Sequence, residues 1–436
     1  MNKILTIAAL ALVLSACSNE DNDIQTPVEQ PAKSEGIPFT ATISIGENAM
    51  TRALTEDATN NQIVPTWAAG EKVALIHNGV NDEMSVASVS GGVATITGTI
   101  TGSPTTGDPV TVIYPATAAD GTTGNVKANL LAAQDGTLAT IAANYDVRKG
   151  TGTLKVSGTA SLNGNVSLTN QNAIFKFTLS GPTIDASHPL VIKKGENEVV
   201  TTVTPTSSTT SVYVAMPPAA SSTYKFFVKT NYNKYIKSGT AVITAGKYYQ
   251  TTLDMPARYP LALANATKED LGSVIGADGK IYLNMTAATG ASPATTAVAM
   301  IAYKSETKGE SLAIQLNASL ASMSWLDACN YSSYPSITGN PGTWRLPSKA
   351  DWQNMFVGCA KSGDAGAGDT MDPIAGFKEK IGATGITWQS RYYWSSTGSG
   401  SFAWFVSVDL SGSSAGAYFV ESVTSAPHSV LGCLAF

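Results

Sequence analysis

The run Ile37-Pro38-Phe39-Thr40-Ala41-Thr42-Ile43-Ser44-Ile45 carries an apolar residue at every odd position. Strict alternation of this kind suits a β-strand with one buried face and does not suit a helix, because strand side chains point to opposite faces in turn. Such a strand needs partners, and the chain supplies them. Similar short runs recur at 93–100, 110–114, 173–179, 211–216, 224–228, 241–244 and 248–253, divided by turns rich in Gly, Asn, Ser or Pro. Helical periodicity is scarce here, with 125–133 the best short stretch. Many short strands with frequent breakers predict a mainly β chain built on β-sandwiches. The span suits two in series, with the break at Pro182 to Pro189, giving sandwiches at 37–185 and 186–258.

Beyond Pro260 the pattern changes. Ser348-Lys349-Ala350-Asp351 reads as a capping box, and Trp352, Met355, Phe356 and Cys359 follow at i, i+3, i+4 and i+7, one face of a helix. Further helices are predicted at 324–331 and 373–380, among strands at 280–283, 297–303, 312–316, 392–395, 403–408, 417–420 and 430–436. Residues 259–436 therefore read as a separate α+β domain.

The first residues predict export. Lys3 precedes an apolar run at 4–14, which is too short to span a bilayer. Leu14-Ser15-Ala16-Cys17 looks like a bacterial lipobox. The expectation is a signal peptide at 1–16, lipidation of Cys17, and attachment to the outer membrane through the lipid, since several acyl chains anchor stably. Residues 17–36 are acidic and rich in Pro, Gln and Glu, a composition that buries no face and reads as a flexible tether. The acidic residues just after Cys17 also resemble the surface-export signal of Bacteroidetes lipoproteins.

Charge and chemistry narrow the function classes. Net charge is −5 with no Lys/Arg cluster, which argues against nucleic acid as a partner. The three histidines, His77, His188 and His428, lack metal-ligand spacing. No phosphate-binding loop appears, and Gly412-Ser413-Ser414-Ala415-Gly416 lies between strands rather than at a strand-to-helix junction, unlike a nucleophile elbow. The expectation is no enzyme and no cofactor. Asp364, Asp369 and Asp372 in a Gly/Ala-rich loop are weak calcium candidates, without EF-hand spacing. Besides Cys17 there are Cys329, Cys359 and Cys433, which allow one disulfide in three pairings.

Several motifs in order give the first half a family likeness. They are the alternating first strand, Thr51-Arg52-Ala53, Trp67-Ala68-Ala69-Gly70-Glu71-Lys72-Val73, Asn172-Ala173-Ile174-Phe175-Lys176-Phe177, Val212-Tyr213-Val214-Ala215-Met216-Pro217-Pro218 and Thr244-Ala245-Gly246-Lys247-Tyr248-Tyr249. This order resembles the fimbrillin-type precursors of Bacteroidetes type V pili, with transthyretin-like sandwiches. The resemblance implies cleavage by a trypsin-like protease between Arg52 and Ala53, loss of the first strand, and filling of the emptied groove by a strand from another pilus subunit.

The last part resembles C-type-lectin-like domains, a superfamily that includes the formylglycine-generating-enzyme-like fold. Gly342-Thr343-Trp344-Arg345-Leu346-Pro347-Ser348, Tyr393-Trp394-Ser395-Ser396-Thr397, Ala403-Trp404 and Gly432-Cys433-Leu434 carry this likeness. It implies a Cys329–Cys433 disulfide with Cys359 as a core thiol, and Trp344 and Trp394 in the core. The sugar-binding tripeptides of calcium-dependent lectins are absent. A subunit ending in such a domain offers no obvious donor strand, which implies a fimbrial tip adhesin facing a host or bacterial surface glycan or protein. The alternative is a stand-alone surface glycan-binding lipoprotein with the sandwiches as spacers.

Overall fold

The alternating run forms strand β1 (Ile37–Ser44), with Phe39, Ala41 and Ile43 buried and Pro38, Thr40 and Thr42 turned to solvent. A computed structural model describes residues 36–44, 55–57, 62–64, 67–307, 309–317, 319–339, 341–364, 366, 368–386, 390–411 and 415–436. The predicted signal peptide, the tether up to residue 35, Cys17, Arg52 and Ala53 lie outside the described residues.

A short antiparallel pair follows, β2 (Thr55–Asp57) and β3 (Gln62–Val64). Then come β4 (Lys72–His77), β5 (Val80–Ser90), β6 (Val93–Ile100), β7 (Pro109–Tyr114), β8 (Ala133–Gln134), β9 (Arg148–Ser157), β10 (Thr159–Leu162), β11 (Val166–Ser167) and β12 (Thr169–Asn170). Most of these join one path, β10-β1-β6-β5-β4-β7-β9-β12, and β10 also pairs with β9. The sheet therefore closes on itself, and β1 is the strand that closes it between β6 and β10. Closure leaves no open edge at that place. Inside lie Phe39, Ile43, Trp67, Leu75, Met84, Ile96, Val112 and Leu154 with their neighbours.

The second sandwich begins earlier than the sequence suggests. Strand β13 (Ala173–Ser180) is the middle of a three-stranded sheet, between β16 (Ser211–Met216) and β19 (Tyr248–Asp254). The facing sheet runs β18-β17-β14-β15-β8, with β14 at Leu190–Lys194, β15 at Glu198–Val203, β17 at Ala219–Lys229 and β18 at Lys234–Ile243. The expected break at Pro182 to Pro189 thus falls inside this module, between β13 and β14. Proline marks a loop there, but a loop within a sandwich has the same composition as a loop between two. Phe175 stacks on Tyr249 at 4.7 Å, and Phe177 meets Phe226 edge-on at 5.1 Å in the core.

Residues 125–133 are not a helix. They form a β-bridge at Val126, turns and the start of β8, and a helical stretch starts later, at Leu138–Thr140 continued by Ile141–Tyr145. The cap decides: the Thr137 side chain accepts from the Thr140 amide, and Asp135 accepts from the Thr137 amide. This stretch packs Ile141 with Ala215, Ile174 and Tyr213 on the outside of β16 and β13. Gln134 of β8 adds two hydrogen bonds to Ala215, at 2.8 and 2.9 Å. The loop of the first module thereby covers part of the second.

The C-terminal region has two sheets, seven- and six-stranded, around a shared core. The helix Lys349–Cys359 carries the predicted capping box at Ser348 and Asp351, and it buries Trp352, Met355, Phe356 and Cys359. The predicted helix at 373–380 is Ala375–Ala383, started by Asp364, whose carboxylate accepts from the Ala375 and Gly376 amides. The predicted last strand, 430–436, is two strands in different sheets, His428–Val430 and Cys433–Ala435. Gly432 makes the crossing: a Cβ there would lie 2.5 Å from the Tyr334 ring, and its amide donates to Gln315 instead of a strand partner.

The junction between the second sandwich and this region is polar. Arg258 binds fully buried Asp270 at 2.6 and 2.5 Å, and Tyr259 donates to the same carboxylate at 2.8 Å. Asn233 grips the Tyr259 backbone through both ends of its amide, each at 2.8 Å. Lys234 donates to the Glu269 carbonyl at 2.6 Å. Burial pulls the Lys234 ammonium down to about 8, with Asp270 opposing and Lys229 and Lys380 assisting.

Candidate functional site

Strand β1 occupies a slot between two unlike neighbours. Along β6 it is antiparallel over its whole length, from Ile37 opposite Ile100 to Ser44 opposite Val93. On its other side it is parallel and the contact is broken: Phe39 faces Ala160 of β10, while Ile43 and Ser44 face Val166 and Ser167 of β11. The Leu168 amide donates to the Ser44 carbonyl at 2.7 Å, and Asn165 donates to its hydroxyl at 3.0 Å, fixing the end of the strand.

Phe39, Ala41 and Ile43 fill the slot from within, packed in the core that includes Ile96, Ile100, Leu162 and Val166. Burying a Phe or Ile side chain stabilises by about 1.5–3 kcal/mol each. Removing β1 would open that cavity and leave two rows of unpaired backbone groups. The strand is thus costly to remove.

The next described strands after β1 are β2 and β3. Glu56 of β2 reaches the outer face of the β16-β13-β19 sheet. Lys176 donates to its two oxygens at 2.9 and 2.7 Å, Tyr213 at 2.5 Å, Tyr248 at 2.8 Å and Gln250 at 3.0 Å. Lys176 is the direct cross-strand partner of both Tyr213 and Gln250, so strand register builds this cradle. The Lys176 bond, followed by those from Tyr213 and Tyr248, outweighs burial and holds the Glu56 carboxyl down at about 2. Glu56 lies in an unpatterned polar stretch, and nothing local in the sequence signals partners more than a hundred residues away.

The cysteines differ from expectation. Cys329, Cys359 and Cys433 are all free thiols, so the Cys329–Cys433 bridge is not formed. Cys329 closes a short helix, Trp325–Cys329, on the solvent side, whereas Cys433 is buried in a central strand opposite Ile314 and Arg345. Burial pushes the Cys359 and Cys433 thiols up to about 12.

The three aspartates considered for calcium serve separate tasks. Asp364 caps a helix, Asp369 pairs with Lys349, and Asp372 accepts from Tyr418 at 2.7 Å. Among the described residues no cluster of three metal-ligating side chains occurs. The histidines are also dispersed: His77 bonds Asp82 at 3.1 Å, His188 bonds Asp185 at 3.1 Å, and His428 packs against Trp394, Phe405 and Tyr392. Trp394 is fully buried and donates to the Met323 carbonyl at 2.9 Å, while Trp344 is half-buried and stacks on Tyr334 at 5.6 Å. On the six-stranded sheet that carries Trp394, Tyr392 and Phe402 stay more than half exposed, at 56% and 53%.

Among the described residues no helix is long and apolar enough to cross a membrane. No family model and no curated protein matches the chain. Among solved structures, it is similar to a fimbrial protein of Bacteroides ovatus, at 13% identity over 92% of this chain and 99% of that one, with a TM-score of 0.25. A proposed cell adhesion protein of the same organism aligns at 12% identity over 51% of this chain and 95% of its own, with a TM-score of 0.32. The tip fimbrial protein Mfa3 of Porphyromonas gingivalis, truncated at its C-terminus, aligns at 10% identity over 47% and 81%, with a TM-score of 0.21. These superpositions are loose, and the functional reading rests on the chain's own residues and geometry.

Proposed function

We propose that this chain is a surface fimbrial subunit whose first strand is a removable plug. The observation that carries the reading is the place of β1: it closes the first module alone between β6 and β10, and fills it with Phe39, Ala41 and Ile43. Residues 45–71 tie β1 to β4, so the plug leaves for good only if that stretch is cut. Arg52 is the sole Lys or Arg between Lys33 and Lys72. Hydrolysis of the Arg52–Ala53 bond by a trypsin-like protease would free β1 together with the lipidated Cys17. A donor strand from a neighbouring subunit then takes the slot, with backbone hydrogen bonds giving affinity and alternate side chains giving register.

The C-terminal region would face outward as a lectin-like tip. Its strand Cys433–Ala435 is paired on both sides, with Leu312–Gln315 and Thr343–Arg345, and so is not free to be donated. The exposed rings of Tyr392 and Phe402 also suit a second reading, a stand-alone surface glycan binder.

The experiment is expression of the Arg52→Ala chain in a piliated host, with N-terminal sequencing of mature fimbriae. The expected result is an N-terminus at Ala53 in the native chain, and an uncut variant that fails to assemble. Arg52-intact chains in mature fimbriae would rule out the processing. Binding on a glycan array without any fimbrial association would favour the stand-alone reading.

A further inference from the structure

The described hydrogen-bond partners of Glu56 all lie on the second sandwich and none on β1, and four donors from three strands converge on this one carboxylate. Exposed ion pairs usually contribute little. Glu56 differs because its side chain is only 17% exposed and both oxygens are used. Among the described residues Lys176 forms no other ion pair, so the cradle is matched to this one acid.

Its position along the chain matters. Glu56 stands four residues after Arg52, on the side that stays with the subunit if the chain is cut. A freed segment tethered beside an open groove competes for it at an effective concentration of about millimolar. That far exceeds any free donor strand. A subunit that depends on a strand from a neighbour must keep its own new end away from the slot.

We propose that Glu56 is a clasp that holds strands β2 and β3 on the second sandwich and keeps the new N-terminus out of the emptied slot. The clasp rests on the processing reading for its purpose, but its strength is measurable without any cleavage. It recognises an acidic β-hairpin of this same chain through one ammonium, two phenols and one amide.

Hydrogen exchange on the uncut full chain gives the first test. In Glu56→Gln and in Lys176→Met, the amides of β2 and β3 should exchange at least about ten-fold faster, the loss of one charge-assisted contact, while β4 to β7 are unchanged. Unaltered exchange in both variants overturns the clasp, whether or not Arg52 is a cleavage site. The second test uses protein cut by trypsin and verified to begin at Ala53, with a labelled peptide of sequence 36–44 offered in trans. The expected result is capture about ten-fold slower in Glu56→Gln, because the freed end competes. Equal capture by both cut proteins overturns the clasp. Failure of trypsin to cut at Arg52 strikes at the processing reading alone, and the exchange result on uncut chain then decides the clasp.

Discussion

Phe39 of β1 lies directly across from Gly98 of β6, and the absent side chain at 98 is filled on the inner side by Met84. A Cβ on Gly98 would meet Met84 Sδ at 2.6 Å and the Glu83 carbonyl at 3.3 Å. A side chain at 98 would therefore have to displace buried Met84. Gly98→Ala should destabilise the chain by about 1–3 kcal/mol through overpacking. Phe39→Ala should cost about 3–5 kcal/mol through the cavity it leaves. Denaturant unfolding measures both. The two variants should part after cleavage: Phe39→Ala departs with the plug and leaves a slot of native affinity for a donor peptide, whereas Gly98→Ala leaves a slot that binds it less tightly. Identical donor affinity in all three cut proteins would sink the plug reading.

The Glu56 contact should depend on pH in one direction. Its carboxyl is held at about 2, against an ordinary 4.5, chiefly by Lys176 and then by Tyr213 and Tyr248. A depressed value means that the docked form refuses a proton which the released form takes up. The contribution is complete above 4.5 and falls as pH drops through about 2. Exchange protection of β2 and β3, corrected for intrinsic rates, should be level from pH 7 to about 5 and then decline. Glu56→Gln should lack that decline. An equal decline in both proteins would assign it to another group.

The junction predicts a cooperative loss. Asp270 is fully buried between Arg258 and Tyr259, and burial disfavours its charge, but the Arg258 bonds and the Thr267 amide together hold the carboxyl below its usual range. Breaking a buried pair strands the remaining charge, at about 3–5 kcal/mol. Asp270→Asn should therefore lower stability by that order and open the segment near 256–270 to proteolysis. A variant with native stability and native cleavage pattern would show that the two modules are held by other contacts.

Period-2 and helical patterns are legible in the elements whose apolar face repeats most regularly, and less so in strands such as β5, β14 and β15. The alternation of β1 and the 352, 355, 356, 359 face of its helix both come from local repetition against a core. What local pattern does not carry is which strands become neighbours. That β1 closes the sheet depends on pairings more than a hundred residues apart, such as Phe39 with Ala160 and Ile43 with Val166, although β10 meets β9 through a local hairpin. The module boundary was misplaced for the same reason, because β13 joins its sheet through β16 and β19, both later in sequence. Glu56 carries no local signal because all its partners are distant, and the Cys329–Cys433 pairing came from the lectin-like resemblance, whereas the three thiols are free in this structure.

The thiols give a prediction that separates this fold from the disulfide-bonded one. Cys329 faces solvent, while Cys359 lies inside the helix-to-sheet core with its Sγ 3.3 Å from the Ala302 carbonyl, and Cys433 lies in a central strand. Thiolate is the reactive form, and burial pushes Cys359 and Cys433 up to about 12. Cys329 is also raised by its surroundings, so its labelling should be slow at neutral pH and faster as pH rises. In a Cys17→Ser chain, a maleimide should modify one thiol in the native protein and three in denaturant, the native site mapping to Cys329. Cys329→Ser should abolish native labelling and leave stability within about 0.5 kcal/mol, as for other surface changes. A disulfide would instead show a single reactive thiol in denaturant without reductant, and its removal would cost about 2–5 kcal/mol.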